Sequence, residues 1–114
     1  VNGGVNAANE IFSWPVLPTA IFCANDDMAL GVMSAAARHR IRIPEQLSVI
    51  GFDDMRYAAI SNPPLSTVAQ PAHEIGVRAA KRLLRAIDSP SEQDRSVEIL
   101  PHKLVVRQST GPRR

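Results

Sequence analysis

Residues 18–54 read PTAIFCANDDMALGVMSAAARHRIRIPEQLSVIGFDD, and two breaks inside this stretch decide the fold. The apolar run Ala20-Ile21-Phe22-Cys23-Ala24 gives way to Asn25-Asp26-Asp27 and then turns apolar again. Further on, Val49 and Ile50 lead through Gly51-Phe52 into Asp53-Asp54. Two short apolar runs that each end in short carboxylates read as strands delivering polar groups to one edge of a sheet. Between them, Leu30, Met33, Ala37 and Ile41 recur at helical spacing, and Ala29, Gly31, Ala35 and Ala36 permit close approach. Asn25 or Asp26 can cap this helix, because a side-chain oxygen there accepts from the unpaired amides of the first turn. Arg38, His39 and Arg40 suit its negative end. A strand–helix–strand unit of this kind predicts a parallel pair with a right-handed crossover.

Working outward, residues 1–5 are Asn/Gly-rich and read as a loop or frayed end. A short helix is expected over 7–14, stopped by Pro15 and Pro18. The strand over 19–24 is expected to be buried on both faces. Pro44 breaks the next connection, a second strand follows over 47–52, and residues 57–64 form a turn punctuated by Asn62-Pro63-Pro64. Residues 65–70 form a third extended segment. Pro71 then permits a helix over 72–87, with Ile75, Ala79, Leu83 and Ile87 on one stripe and Arg78, Lys81, Arg82 and Arg85 on a solvated side. A polar loop over 89–96 leads to a final pair of short strands, 97–100 and 103–107. The expected class is α/β with a parallel sheet.

At 114 residues the chain fits one small domain with a core of useful size. Aromatics are 4% of the sequence, so that core must rest on Ala, Val, Leu and Ile. A net charge of +2 gives little pull toward phosphate backbones. The basic residues gather at helix ends and in the tail 107–114, not along one face, which argues against nucleic-acid binding by this stretch. Cys23 is the sole cysteine, so there is no intramolecular disulfide and no Cys-rich zinc site. Within an apolar strand it reads as a buried, inert thiol. The start lacks the basic and apolar regions of a signal peptide. No apolar run approaches the roughly 18 residues of a membrane span. The chain reads as soluble and from a reducing compartment.

Ligands of open α/β sheets bind beyond the carboxyl ends of the strands. Asn25 and Asp53 lie where two strands stop. Asn donates and accepts at once, and an ionised Asp accepts from two hydroxyls, so the pair suits a polyol or a similar hydroxylated molecule. The structural alternative is that Asn25 and Asp26 only cap a helix while Asp53 and Asp54 only open a turn. Four carboxylates near one edge also admit a magnesium-dependent phosphoacceptor site, with Thr67 and Lys103 as its hydroxyl and lysine. Lys103, however, follows Pro101-His102 and closes no apolar strand. A paired-carboxylate hydrolase has no feature that would separate the two pKa values. Ser48 in SVIG is not flanked by the glycines of a nucleophile elbow. His39, His73 and His102 lack metal-ligand spacing and read as surface or capping residues. Trp14 reads as a packing residue or ligand lid. No cofactor motif and no catalytic residue emerge.

The order and spacing of these pieces resemble the ligand-binding core of the lactose-repressor (LacI/GalR) family of bacterial transcription regulators. Residues 18–54 carry the likeness, which continues through PPLSTVAQP at 63–71, HEIGVRAAKRLL at 73–84 and PHKLVVRQST at 101–110. The resemblance implies a type I periplasmic-binding-protein-like fold, in which two α/β subdomains joined by crossover strands hold an effector between them. Asn25 matches the family's effector-contacting Asn in its AND motif, Asp53 matches the Asp of GFDD, and Gln70 sits where a crossover meets the cleft. The helix from Asp26 and the segment 57–61 match elements of the dimer interface, with Leu30 and Ile60 as the contact candidates. The implied protein is a cytoplasmic, non-enzymatic homodimer that responds to a small-molecule effector, a sugar among the candidates. It reaches operator DNA through a helix-turn-helix domain. A periplasmic sugar-binding protein of the same fold is the alternative.

Two departures from the family pattern stand out. The family carries Gly near the end of its first long helix, in a stretch like HGLRIPE, where this chain has His39-Arg40-Ile41. Arg40 must then adopt a left-handed backbone, or the helix must end differently. The second departure is length. Against the family, 1–114 reads as a partial effector-binding domain, mainly its C-terminal subdomain. Residues 18–70 form that subdomain's core, the 71–88 helix packs in the family on the other subdomain, and 97–110 are the final strands. The 75–87 apolar stripe would then be exposed and seek a partner.

Overall fold

The computed structural model describes residues 1–92 and 95–113. The chain divides into two compact units, Val1–Ala69 with Lys103–Arg114, and Gln70–His102.

In the first unit, strand β1 (Ala20–Phe22) pairs in parallel with β2 (Ser48–Ile50), matching Ile21 with Val49. Helix α2 (Asp26–Arg38) crosses between them, as the strand–helix–strand pattern requires. Parallel bridges from Ile50 to Ser66 and from Asp53 to Ala69 attach β3 (Thr67–Ala69). Strand β4 (Lys103–Val105) closes the order antiparallel to β3. The core is built from Leu47, Val49 and Leu65 beneath Ala29, Val32 and Met33 of α2. It is aliphatic, as the scarcity of aromatics demands.

Several expectations are corrected. The opening is helical: α1 runs Asn2–Ile11 and takes in the segment expected to be a loop. Its glycines are contact points, since a Cβ on Gly4 would stand 2.1 Å from the Met28 carbonyl oxygen of α2. Tertiary contact here outweighs the poor helix propensity of glycine. Strand β1 is not buried on both faces. Ile21 packs on the core, whereas Phe22 is 64% exposed, because alternation turns it to the face that α2 leaves open. On α2 the buried residues are Asp26, Ala29, Gly31, Val32, Met33, Ala35 and Ala36, and Ala37 faces solvent. The small residues thus form the contact face itself.

Helix α2 ends as its departure from the family pattern demanded. Arg40 adopts φ 57°, and the Ile41 N–H donates to Ala36 O at 2.9 Å, closing the helix without glycine. After β4, the tail returns along the sheet. The Val49 N–H donates to Ser109 O at 2.9 Å, and the buried Ser109 Oγ donates to Val49 O and accepts from the Ser66 N–H.

The second unit is dominated by helix α3 (Ala72–Asp88), in which no residue is buried. Ile75, Leu83 and Ile87 are exposed, and the expected stripe is therefore open to solvent. Arg78 pairs with Glu74 at 2.9 Å and with Glu98. Residues 97–100 form no strand, contrary to expectation. Gln93 and Asp94, within the expected polar loop, and Arg114 of the basic tail lie outside the described residues. No helix among the described residues is long and apolar enough to cross a membrane.

Candidate functional site

The site starts where β1 and β2 stop. The Cys23 N–H still donates to Ile50 O at 2.8 Å, and two residues later the backbone leaves the sheet. Asn25 is the N-cap of α2, with extended φ and ψ, and its Oδ1 accepts from the Met28 N–H at 2.8 Å. Capping uses the oxygen of the amide and does not engage its Nδ2 donor. Asn25 is half-buried.

Asp53 occupies the matching place beyond β2. It is exposed, holds φ 114°, and its N–H donates to Val68 O at 2.9 Å. A non-glycine residue at that φ is strained, and such strain gathers at ligand sites and switches. Between Asn25 and Asp53 lies a direct backbone tie, the Asp26 N–H donating to Phe52 O at 3.0 Å. The structure therefore brings these two residues together at one edge. Gln70, the third residue of the set, follows β3 directly and opens the second unit, where it lines an open groove with Ile75, Arg78 and Leu100.

The acidic character of the edge is largely consumed internally. Asp26 is fully buried, with Oδ1 accepting from Thr67 Oγ1 at 2.7 Å and Oδ2 accepting from the Met55 N–H at 2.8 Å. Asp54, at φ 55°, pairs with Arg107 at 2.8 Å. Asp27 accepts from the Tyr57 hydroxyl. Partial burial pushes the Tyr57 phenol up to about 12, helped by that hydrogen bond and by the charges of Asp27, Asp26 and Asp53. With these partners in place, Asp26 and Asp54 serve the fold, which removes the basis for a four-carboxylate magnesium centre. Thr67, considered as a phosphoacceptor hydroxyl, is instead the buried partner of Asp26. Among the described residues no group of three or more His, Cys, Asp or Glu side chains converges.

Cys23 is buried, and desolvation, with Asp26 nearby, pushes its thiol up to about 11. It is an inert core residue, as its place in an apolar strand suggested. His39, His73 and His102 are exposed, and His39 shares a hydrogen bond with Asn9 at 3.1 Å. Sequence reasoning missed the buried role of Asp26 and the parts of Thr67, Ser109 and Arg107. The one local signal for Asp26 was an acid set directly between a strand end and an apolar helix. The other three are brought in by chain more than 40 residues away, as the separations of 41, 53 and 60 in their hydrogen bonds show.

A parallel strand pair with polar residues at its carboxyl edge has the arrangement at which open α/β sheets bind ligands. Residues 2–110 match the family model described as a periplasmic binding protein-like domain. The chain belongs to this family, and the relatives around it are LacI-type regulators. The HTH-type transcriptional repressor PurR of Vibrio vulnificus (strain CMCP6) is 46% identical over 103 residues, 90% of this chain and 30% of that protein. A LacI family transcriptional regulator from Enterococcus faecalis V583, solved with bound ribose, is 35% identical with a TM-score of 0.88. The match covers 99% of this chain and 41% of that one. The lac repressor dimer bound to operator and an anti-inducer is 31% identical with a TM-score of 0.85, covering 96% of this chain and 37% of that one. The chain thus spans about a third of the length of the curated relatives it matches.

Proposed function

We propose that this chain supplies one wall of the effector cleft of a LacI-type transcriptional regulator, with a small hydroxylated molecule, a sugar first among candidates, as effector. It acts without catalysis and in the cytoplasm. The observation that carries this reading is the backbone tie from Asp26 to Phe52, which holds Asn25 and Asp53 at adjacent strand ends. Asn25 offers an amide donor and Asp53 a carboxylate acceptor, a combination that engages vicinal hydroxyls. The bound ribose of the Enterococcus faecalis neighbour supports a sugar.

The same reading assigns a homodimer contact to Leu30 and Ile60. Ile60 is 83% exposed, and the Tyr57–Asp27 hydrogen bond ties this segment to the start of α2. An effector that favours one arrangement of the cleft shifts the population of states of the whole regulator, and through it the geometry of its DNA-binding heads.

Titration of the isotopically labelled chain with D-ribose and a panel of other pentoses and hexoses tests the assignment. Chemical-shift changes at Asn25 and Asp53, lost in Asn25→Ala and Asp53→Ala, are expected. Asn25→Asp preserves the helix cap and should still lose the sugar response, separating the two duties of this residue. Shifts confined to residues elsewhere, or none with any sugar, would overturn the reading.

A further inference from the structure

Asp26 is a buried carboxylate that contacts no ligand in the reading above, yet it touches every element that shapes the site. Its N–H holds Phe52 O, the residue before Asp53. Its Oδ2 holds the Met55 N–H, on the far side of Asp53 and Asp54. Its Oδ1 holds Thr67 of β3, whose hydroxyl oxygen in turn receives the Asp54 N–H at 3.3 Å. Asp54 is then clamped by Arg107, which also donates to Leu65 O at 2.9 Å. The 52–55 turn is therefore fastened at both ends to the residue that follows Asn25.

That turn contains two consecutive non-glycine residues at positive φ, 114° at Asp53 and 55° at Asp54. Such a backbone persists only when its surroundings over-determine it. The surroundings here are Asp26, Thr67 and Arg107. The Asp26–Thr67 bond is fully buried, so it is shielded from water and holds a defined geometry.

We infer that Asp26 and Thr67 are positioning residues, which set the separation and orientation of Asn25 and Asp53 without touching the effector. The inference deepens the effector reading and rests on it for its functional meaning. The buried pair forms one unit: removing the Thr67 hydroxyl leaves Asp26 Oδ1 without its donor and releases the turn.

The test compares Thr67→Val, which deletes the hydroxyl at nearly constant volume, with Thr67→Ser, which keeps it. Backbone and side-chain amide resonances of Asn25, Asp53 and Met55 are followed in the full chain, beside D-ribose titration and the thermal midpoint. Thr67→Val should move the Asn25 and Asp53 resonances and weaken ribose binding about tenfold, the scale of one buried hydrogen bond, while Thr67→Ser restores both. A folded Thr67→Val with Asn25 and Asp53 resonances unmoved would overturn the inference, even with a lowered thermal midpoint. If the parent chain binds no sugar of the panel, the effector reading fails on its own, and the resonances still decide the positioning role. If Thr67→Val does not fold, hydrogen exchange in the parent chain decides. Met55 and Asp26 amides should exchange together, and a Met55 amide exchanging far faster than Asp26 would overturn the inference.

Discussion

Gly51 and Asp26 stand so close that a Cβ on Gly51 would meet Asp26 Oδ1 at 2.2 Å. The contact joins the end of β2 to the start of α2, and it leaves room for only a hydrogen at residue 51. The carboxylate cannot step aside, because Thr67 and Met55 hold both its oxygens. Gly51→Ala should therefore cost about 1–3 kcal/mol through overpacking, measured by urea unfolding. An unchanged midpoint would show that the turn relaxes freely.

Arg40 presents the opposite case, a position that would gain from glycine. Its φ of 57° is the left-handed conformation that disfavours a side chain by about 1–2 kcal/mol. The residue is exposed, so its side chain contributes little packing. Arg40→Gly should raise stability by about 1 kcal/mol, less the entropy glycine loses on folding. Thermal unfolding checks this, and a lowered midpoint would count against it.

Ser109 joins three chain segments through one buried hydroxyl. It donates to Val49 O at 2.6 Å and accepts from the Ser66 N–H at 2.8 Å. Ser109→Ala strands both buried partners and should cost about 1–3 kcal/mol. The effect should appear in denaturant midpoint, with the slope unchanged if the tail stays docked.

Cys23 gives a pH dependence with a definite sign. Its folded value is pushed up to about 11 from an ordinary 9.0, so the folded state keeps its proton longer than the unfolded chain does. The stabilising contribution is complete below 9.0 and is lost as pH rises through about 11. Urea midpoints across this window should fall less steeply in Cys23→Ala than in the parent chain. Equal slopes would show that the thiol titrates alike in the folded and unfolded chains.

Ile60, 83% exposed beside the turn tied to α2, tests the proposed pairing of two copies. A charge at the centre of an apolar contact is desolvated without a partner, so Ile60→Asp should shift the chain to monomer at concentrations where the parent associates. Sedimentation velocity reads the difference. Identical distributions for both proteins would remove Ile60 from the contact.

Much of the site could be read before folding was considered. Asn25 and Asp53 each follow a short apolar run, and strand ends of a parallel sheet meet at one edge. Helix α2 was legible from its spacing and its small residues. By sequence either Asn25 or Asp26 can cap it, and only the structure decides between them. Asn25 caps, and Asp26 turns inward. The start of helix α1 is not legible, because Gly3 and Gly4 argue for a loop until α2 is placed against Gly4.

The sequence alone determined the order of strands and helices as far as α3, the crossover unit and the polar strand ends, since periodicity and breaks act within a few residues. Only the tertiary structure decided which carboxylates the fold buries and pairs internally. Asp26 looks no different from Asp27 in the chain. It becomes a buried clamp because Thr67 and the Met55 amide arrive from distant segments, and a buried carboxylate is tolerated only where such donors meet it.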